Sequence, residues 1–218
     1  MRMRRLAAIA VLAISAITIA CGDDDDDNGE PQDNGGTPPA TATRASVDTP
    51  SSTSPTESTP GADVTPVAMM LNSTGFSEGE RLPDEFTCAG ANVSPPLAWE
   101  GAPAEAQAYA LIMDDPDTPR GTFDHWVMYD IPVDTDGIGQ AQAADEIGAT
   151  PGANGTGGPT YLGACPPPGD GDHRYIFRIY ALDAALGLPP GADKQTVLDA
   201  MEGHILGQGQ LIGMYSRD

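Results

Sequence analysis

The chain has 218 residues and carries 32 acidic against ten basic side chains, a formal charge of −22 at pH 7. Nucleic acid is argued against as a partner, because neutralising a phosphate backbone needs clustered lysine and arginine and residues 67–218 hold no such cluster. With 26 glycines and 21 prolines, the composition points to strands punctuated by turns.

Residues 1–20 place Arg2, Arg4 and Arg5 before an apolar stretch, Leu6 to Ala20, that is too short to span a bilayer. This reads as an export signal. It ends Thr18-Ile19-Ala20-Cys21, which is similar to the lipobox at which bacterial lipoproteins are acylated and cleaved, with Thr18 where leucine is usual. Acyl chains on Cys21 would anchor the protein outside the cytoplasmic membrane, since each buried CH₂ contributes about 0.8 kcal/mol. An ordinary secretory peptide with a chance cysteine is the alternative. Residues 21–66 then run through Asp23 to Asp27 into Thr, Ser, Pro, Gly and Ala, with only Val47 and Val64 as sizeable apolar residues. Such a segment cannot bury enough surface to offset its ordering entropy, so a disordered tether is expected, with a reach of about 35 to 40 Å.

Residues 67–218 have the length of one folded domain. A first strand is expected over Ala68 to Leu71. Ala108 to Met113 is apolar on both alternating faces, which predicts a central strand covered on each side. His125 to Ile131, ending at Pro132, reads the same way. Over Arg174 to Leu182, Tyr175, Phe177, Ile179 and Ala181 share one face, while Arg174 and Arg178 wet part of the other. Val197, Leu198 and Met201 recur at helical spacing within Asp193 to Glu202, with Gly203 placed to stop a helix. Leu211 to Tyr215 predicts a closing strand.

Chemistry concentrates in two stiff loops. Asp115-Pro116-Asp117-Thr118-Pro119 follows the first central strand, and its two prolines fix φ and mount the carboxylates rigidly. His125 comes ten residues after Asp115. The second loop, Cys165-Pro166-Pro167-Pro168-Gly169-Asp170-Gly171-Asp172-His173-Arg174-Tyr175, also opens onto an apolar strand. Read from residues alone, the aspartates serve equally well as turn formers, His125 as a core histidine and His173 as a surface one. His204 reads as a helix-end surface residue. Arg120 and Arg174 stand near enough to add positive field, although Arg174 fits a sheet-edge ion pair equally well. Asp114, Asp124, Asp170 and Asp172 would oppose an anion unless they face away.

These loops, together with Phe86-Thr87-Cys88, Ser94-Pro95-Pro96-Leu97-Ala98-Trp99 and Gly121-Thr122-Phe123-Asp124-His125-Trp126, resemble the phosphatidylethanolamine-binding protein family, and in particular its bacterial Raf kinase inhibitor-like branch. The resemblance spans most of residues 67–218. It implies a β-rich sandwich, a large central sheet packed on a smaller one with short peripheral helices. It also implies a pocket for phosphate or a phospholipid head group, lined by the residues matching Asp115, Asp117, His125, His173 and Tyr175, with Pro119 and Pro166 on the rim and Cys165 beside it. An imidazole held by a carboxylate would be a fixed donor to an anionic oxygen, and the carboxylates would suit an ethanolamine ammonium. The segment 152–164 departs from the family: Gly155 and Thr156 stand where an aromatic is usual, and Ala164 where proline is common.

If Cys21 is acylated, Cys88 and Cys165 remain, and export permits a disulfide between them, with two free thiols as the alternative. Neither a cofactor nor a metal site is implied; two cysteines without CxxC spacing do not make a zinc framework. Three functions compete. The first is a non-catalytic binding protein for a small phosphate or head group. The second is an inhibitor of an extracytoplasmic protein partner such as a kinase or protease. The third is a hydrolase using His125 or His173 as general acid or base, for which no nucleophile is evident, since Ser94 sits in a Ser-Pro-Pro turn and not a G-x-S-x-G elbow.

Overall fold

The computed structural model describes residues 65–218. The expected export signal, Cys21 and the expected tether up to residue 64 lie outside the described residues. In chain order the elements are β1 (Val67–Ala68), β2 (Met70–Asn72), β3 (Leu97–Glu100), β4 (Ala108–Asp115), β5 (Phe123–Pro132), β6 (Gly137–Ile138), β7 (Thr150–Pro151), β8 (His173–Leu182), α1 (Lys194–Met201) and β9 (Ile205–Tyr215). Single 3₁₀ turns occur at Asp84–Phe86 and Asp145–Ile147. No helix among the described residues is long and apolar enough to cross a membrane.

A six-stranded sheet in the order β1-β9-β8-β4-β5-β7 packs against a three-stranded sheet, β2-β3-β6. β1 runs parallel to β9 and every other pairing is antiparallel. β4 is buried along its whole length, as its two-sided apolar pattern predicts. Tyr109, Leu111 and Met113 enter the core shared with Leu71, Leu97, Trp99 and Ile138 of the small sheet. Ala110 and Ile112 face the opposite way, joining Val127, Tyr129, Tyr180, Leu182 and the α1 residues Val197 and Met201. Each large apolar side chain buried in this way contributes about 1.5–3 kcal/mol, so a slip of one residue in β4 would invert both cores and is strongly opposed.

The predicted helix is present. Asp193 caps α1, its side chain accepting the Thr196 N–H at 2.8 Å. Gly203, at φ +80°, turns the chain after Glu202. Arg174 and Arg178 are the only residues of β8 not fully buried.

Two expectations are corrected. Ala68 to Leu71 is not one strand: β1 ends at Ala68 and pairs in the large sheet, while β2 begins at Met70 and pairs in the small one. The pivot is Met69, which is buried and donates its N–H to the Gln208 carbonyl at 2.7 Å. The closing strand begins at Ile205 rather than Leu211. Gly207 to Gln210 carry no apolar alternation to announce it, and they are held in place by β1 on one side and β8 on the other.

Candidate ligand-binding site

β4 and β8 lie side by side, and their ends bring Asp115 and His173 together from positions 58 residues apart. Both side chains are buried, and His173 Nδ1 lies 2.8 Å from Asp115 Oδ2. The other ring nitrogen, Nε2, lies 3.3 Å from Asp170 Oδ2. Burial opposes the charged form of His173, but the hydrogen bond and charge of Asp115, followed by those of Asp170, outweigh it and raise the pKa above the ordinary value. With a carboxylate at each nitrogen, His173 is an imidazolium donating in both directions.

The turn after β4 is held from several sides. The second oxygen of Asp115 accepts the Asp117 N–H at 2.9 Å, and the Thr118 hydroxyl donates to the Gly121 carbonyl. Asp117 does not face the cavity. Its carboxylate takes the Arg174 N–H and Nε at 2.9 Å and Nη2 at 2.6 Å, and this guanidinium lowers its pKa to about 2. The arrangement clamps the turn onto β8 and resolves Arg174 as an ion-pair partner.

His125 is placed by β5 and differs from His173 in every respect that matters to an anion. Its Nδ1 donates to the Leu162 carbonyl at 2.7 Å, and the Leu162 N–H returns a bond to the His125 carbonyl at 3.0 Å. No carboxylate touches the ring. Burial lowers its pKa, and the Leu162 carbonyl and more distant aspartates do not reverse this. His125 is therefore a neutral imidazole with its proton on Nδ1 and a bare Nε2 that has no partner among the described residues. The expectation of a carboxylate-held imidazolium applies to His173 and not to His125. The His125 ring stands edge-on to Phe123 and Tyr175, with centroids 4.9 and 5.2 Å away.

These groups open on a cavity of about 780 Å³. Asp115, Pro119, His125, Pro166 and His173 line it, with Arg120 beside them. Tyr175 does not: it is fully buried behind His125, and burial, followed by the nearby charge of Asp115, pushes its pKa up. Cys88 and Cys165 also line the cavity and are joined as a disulfide, Cα to Cα 5.4 Å. Asn92, Thr118, Phe123, Leu162, Gly163 and Pro167 complete the wall. Leu162 and Gly163 belong to the 152–164 segment whose departures from the family bear on that wall, whereas Asn92 was passed over; it adopts φ +56° and accepts the Gly163 N–H at 2.8 Å.

The segment 152–164 meets the site only through its last residues. A Cβ on Gly155 would lie 2.7 Å from the Phe123 ring, so the missing side chain makes room for Phe123. Ala164 is fully buried, bridges Thr87 and accepts the Cys88 N–H at 3.1 Å. Two of the other acids are engaged away from the cavity. Asp114 and Asp124 pair with Arg178 and Lys194 at the α1 face, and His204 pairs with Asp183 on the surface. A neighbouring cavity of about 590 Å³, between Trp126, Tyr161 and the 141–145 turn, holds Asp145 but no histidine.

Neither imidazole has a serine, threonine or cysteine as hydrogen-bond partner among the described residues. Nor do the described residues hold three or more His, Cys, Asp or Glu side chains arranged to ligate a metal.

A family model described as phosphatidylethanolamine-binding protein matches residues 72–216. The chain is 48% identical over 152 residues to a UPF0098 protein of Methanothermobacter thermautotrophicus, an alignment covering 68% of this chain and 99% of that relative. It is 44% identical over 153 residues to a UPF0098 protein of Aquifex aeolicus, covering 69% and 90%. Among solved structures it is similar to CT736 of Chlamydia trachomatis, described as a homolog of phosphatidylethanolamine-binding protein, with TM-score 0.65, 37% identity and coverage of 69% and 99%. YbcL of E. coli, described as a new member of the mammalian PEBP family, gives TM-score 0.65 at 26% identity, with the same coverage.

Proposed function

This chain belongs to the phosphatidylethanolamine-binding protein family, and we propose that it is an exported, membrane-tethered binding protein whose cavity takes a small phosphate or phospholipid head group. The observation that carries this reading is the convergence of two unlike imidazoles on one cavity, neither of them hydrogen-bonded to a serine, threonine or cysteine among the described residues. His125 Nε2 is the ring nitrogen left open toward the cavity: it accepts from a phosphate P–OH or, once protonated, donates to a phosphate oxygen, and charge-assisted bonds of that kind are about twice as strong as neutral ones. Export is supported by the basic and apolar leader, by Cys21 in a lipobox-like setting, and by a disulfide of the kind that persists in oxidising compartments. The tether would hold the domain away from the membrane surface to which Cys21 is anchored.

Calorimetric titration of the detergent-purified full chain with inorganic phosphate tests the reading. Saturable binding is expected, weakened at least about tenfold in His125→Ala, given the roughly 1.5–3 kcal/mol that a hydrogen bond to a charged group contributes. Equal affinity in wild type and in a variant shown by circular dichroism to be folded would refute it.

A further inference from the structure

If the cavity is a phosphate site, the charges around its mouth specify what else the ligand carries. Residues 67–218 hold 22 acidic side chains and only six basic ones, so where the cations stand is informative. Arg81 lies 3.7 Å from Asp84, Arg174 2.6 Å from Asp117, Arg178 2.8 Å from Asp114, and Lys194 3.3 Å from Asp114. Arg120 and Arg217 have no carboxylate within 4 Å among the described residues, and both stand at the cavity. Arg120 lines it directly. Arg217 donates to Cys165 Sγ at 3.3 Å and to the Pro166 carbonyl at 3.4 Å, and both of those residues line it.

Three carboxylates at the same place are already engaged with cations: Asp115 and Asp170 face His173, and Asp117 is closed on Arg174, while Asp172 is exposed with no cation within 4 Å among the described residues. The positive charge open to a ligand at the mouth is therefore that of the two unpaired arginines. An ammonium arriving there would meet paired carboxylates and unpaired guanidinium groups. A second anionic group would meet those guanidinium groups at the rim, where Arg120 is exposed and Arg217 half-buried, so each pair is favourable but screened in part by solvent.

We propose that the cavity selects phosphate ligands whose substituent bears a second negative charge over those bearing an ammonium, and that Arg120 is the residue that sets this preference. This proposal rests on the phosphate-site reading above. Two sources offer such chemistry: soluble phosphorylated acids, and lipid head groups with two anionic centres.

The test is a set of titrations on the detergent-purified full chain with inorganic phosphate, 2-phosphoglycolate and O-phosphoethanolamine, repeated on Arg120→Gln. The last two ligands are of similar size and differ in carrying a carboxylate or an ammonium. The phosphoglycolate is expected to bind about fivefold more tightly than phosphate, as a partly exposed charge pair allows, and phosphoethanolamine no more tightly than phosphate. In Arg120→Gln the ratio of phosphoglycolate to phosphate affinity should fall toward one. Phosphoethanolamine binding more tightly than phosphoglycolate, or an unchanged ratio in the variant, would overturn the preference while leaving the phosphate site intact. Absence of phosphate binding would remove both. Displacement of bound phosphoglycolate by vesicles of cardiolipin in phosphatidylcholine would assign the lipid source, and its retention the soluble one; either outcome supports the charge preference.

Discussion

His125 and His173 share a cavity, and their surroundings push them in opposite directions. His173 has carboxylates at both nitrogens and a raised pKa, so the pair it forms with Asp115 contributes stability that is fully present below pH 6.5 and fades as pH rises through the folded value. Asp115→Asn is therefore expected to cost about 3 kcal/mol at pH 6, the scale of breaking a buried pair, and distinctly less at pH 9. Urea denaturation of both proteins at the two pH values measures this, and equal losses would show that the pair is not ionic. His125 runs the other way. Its folded pKa lies below the ordinary 6.5, so Nε2 stays bare near neutrality and meets a phosphate oxygen only when one of the two carries a proton. Phosphate affinity should accordingly rise as pH falls below 6.5, and this dependence should be absent in His125→Ala titrated over the same range.

Among the elements, what the sequence displayed depended on whether an element carries its own periodicity. β4, β5, β8 and α1 do, because each buries whole faces: Tyr109, Leu111 and Met113 repeat at strand spacing, and Val197 and Met201 at helical spacing. β6 and β7 have two residues each and exist only through their partners, so no local pattern marks them, while the apolar run Ala68 to Leu71 announces one strand where β1 and β2 are two. The same division runs through the site. Asp115, His125 and His173 were legible because proline-rich loops and the family resemblance single them out, whereas Phe123, Leu162 and Gly163 reach the wall through tertiary docking alone. Asp117 and Tyr175 match the family pattern, yet one closes on Arg174 and the other lies beneath His125, an outcome decided by neighbours contributed from β8 and β5. The 152–164 segment carries its own test. Placing a methyl group at Gly155 must displace the far end of the Phe123 ring, a movable neighbour that itself lines the cavity. Gly155→Ala should therefore cost only about 1 kcal/mol, the low end of overpacking, while weakening phosphate binding. Denaturation and titration of the one variant separate the two effects, and unaltered affinity would place Phe123 outside the ligand's reach.

On the scale of the whole molecule, the cavity wall is made of two segments far apart in the chain, and two kinds of bond hold them together. Cys88 and Cys165, separated by 77 residues, are joined covalently. Around them the Cys88 N–H donates to the Ala164 carbonyl at 3.1 Å, the Tyr161 hydroxyl to the Phe86 carbonyl at 2.6 Å, and the Gly163 N–H to Asn92 at 2.8 Å. The disulfide acts chiefly on the unfolded chain, where closing so long a loop removes conformational freedom equivalent to about 4–5 kcal/mol. The hydrogen bonds act on the folded wall and do not depend on the sulfur bridge. Stability and binding should therefore part company when both cysteines are replaced. The Cys88→Ser/Cys165→Ser chain is expected to lose about 4 kcal/mol in urea denaturation, yet to keep its phosphate affinity within about threefold, because less than 1 kcal/mol separates affinities that close. A fall in affinity as large as that of His125→Ala would mean that the bridge shapes the cavity itself. A stability loss below about 1 kcal/mol would mean that the unfolded chain keeps the two segments together without it.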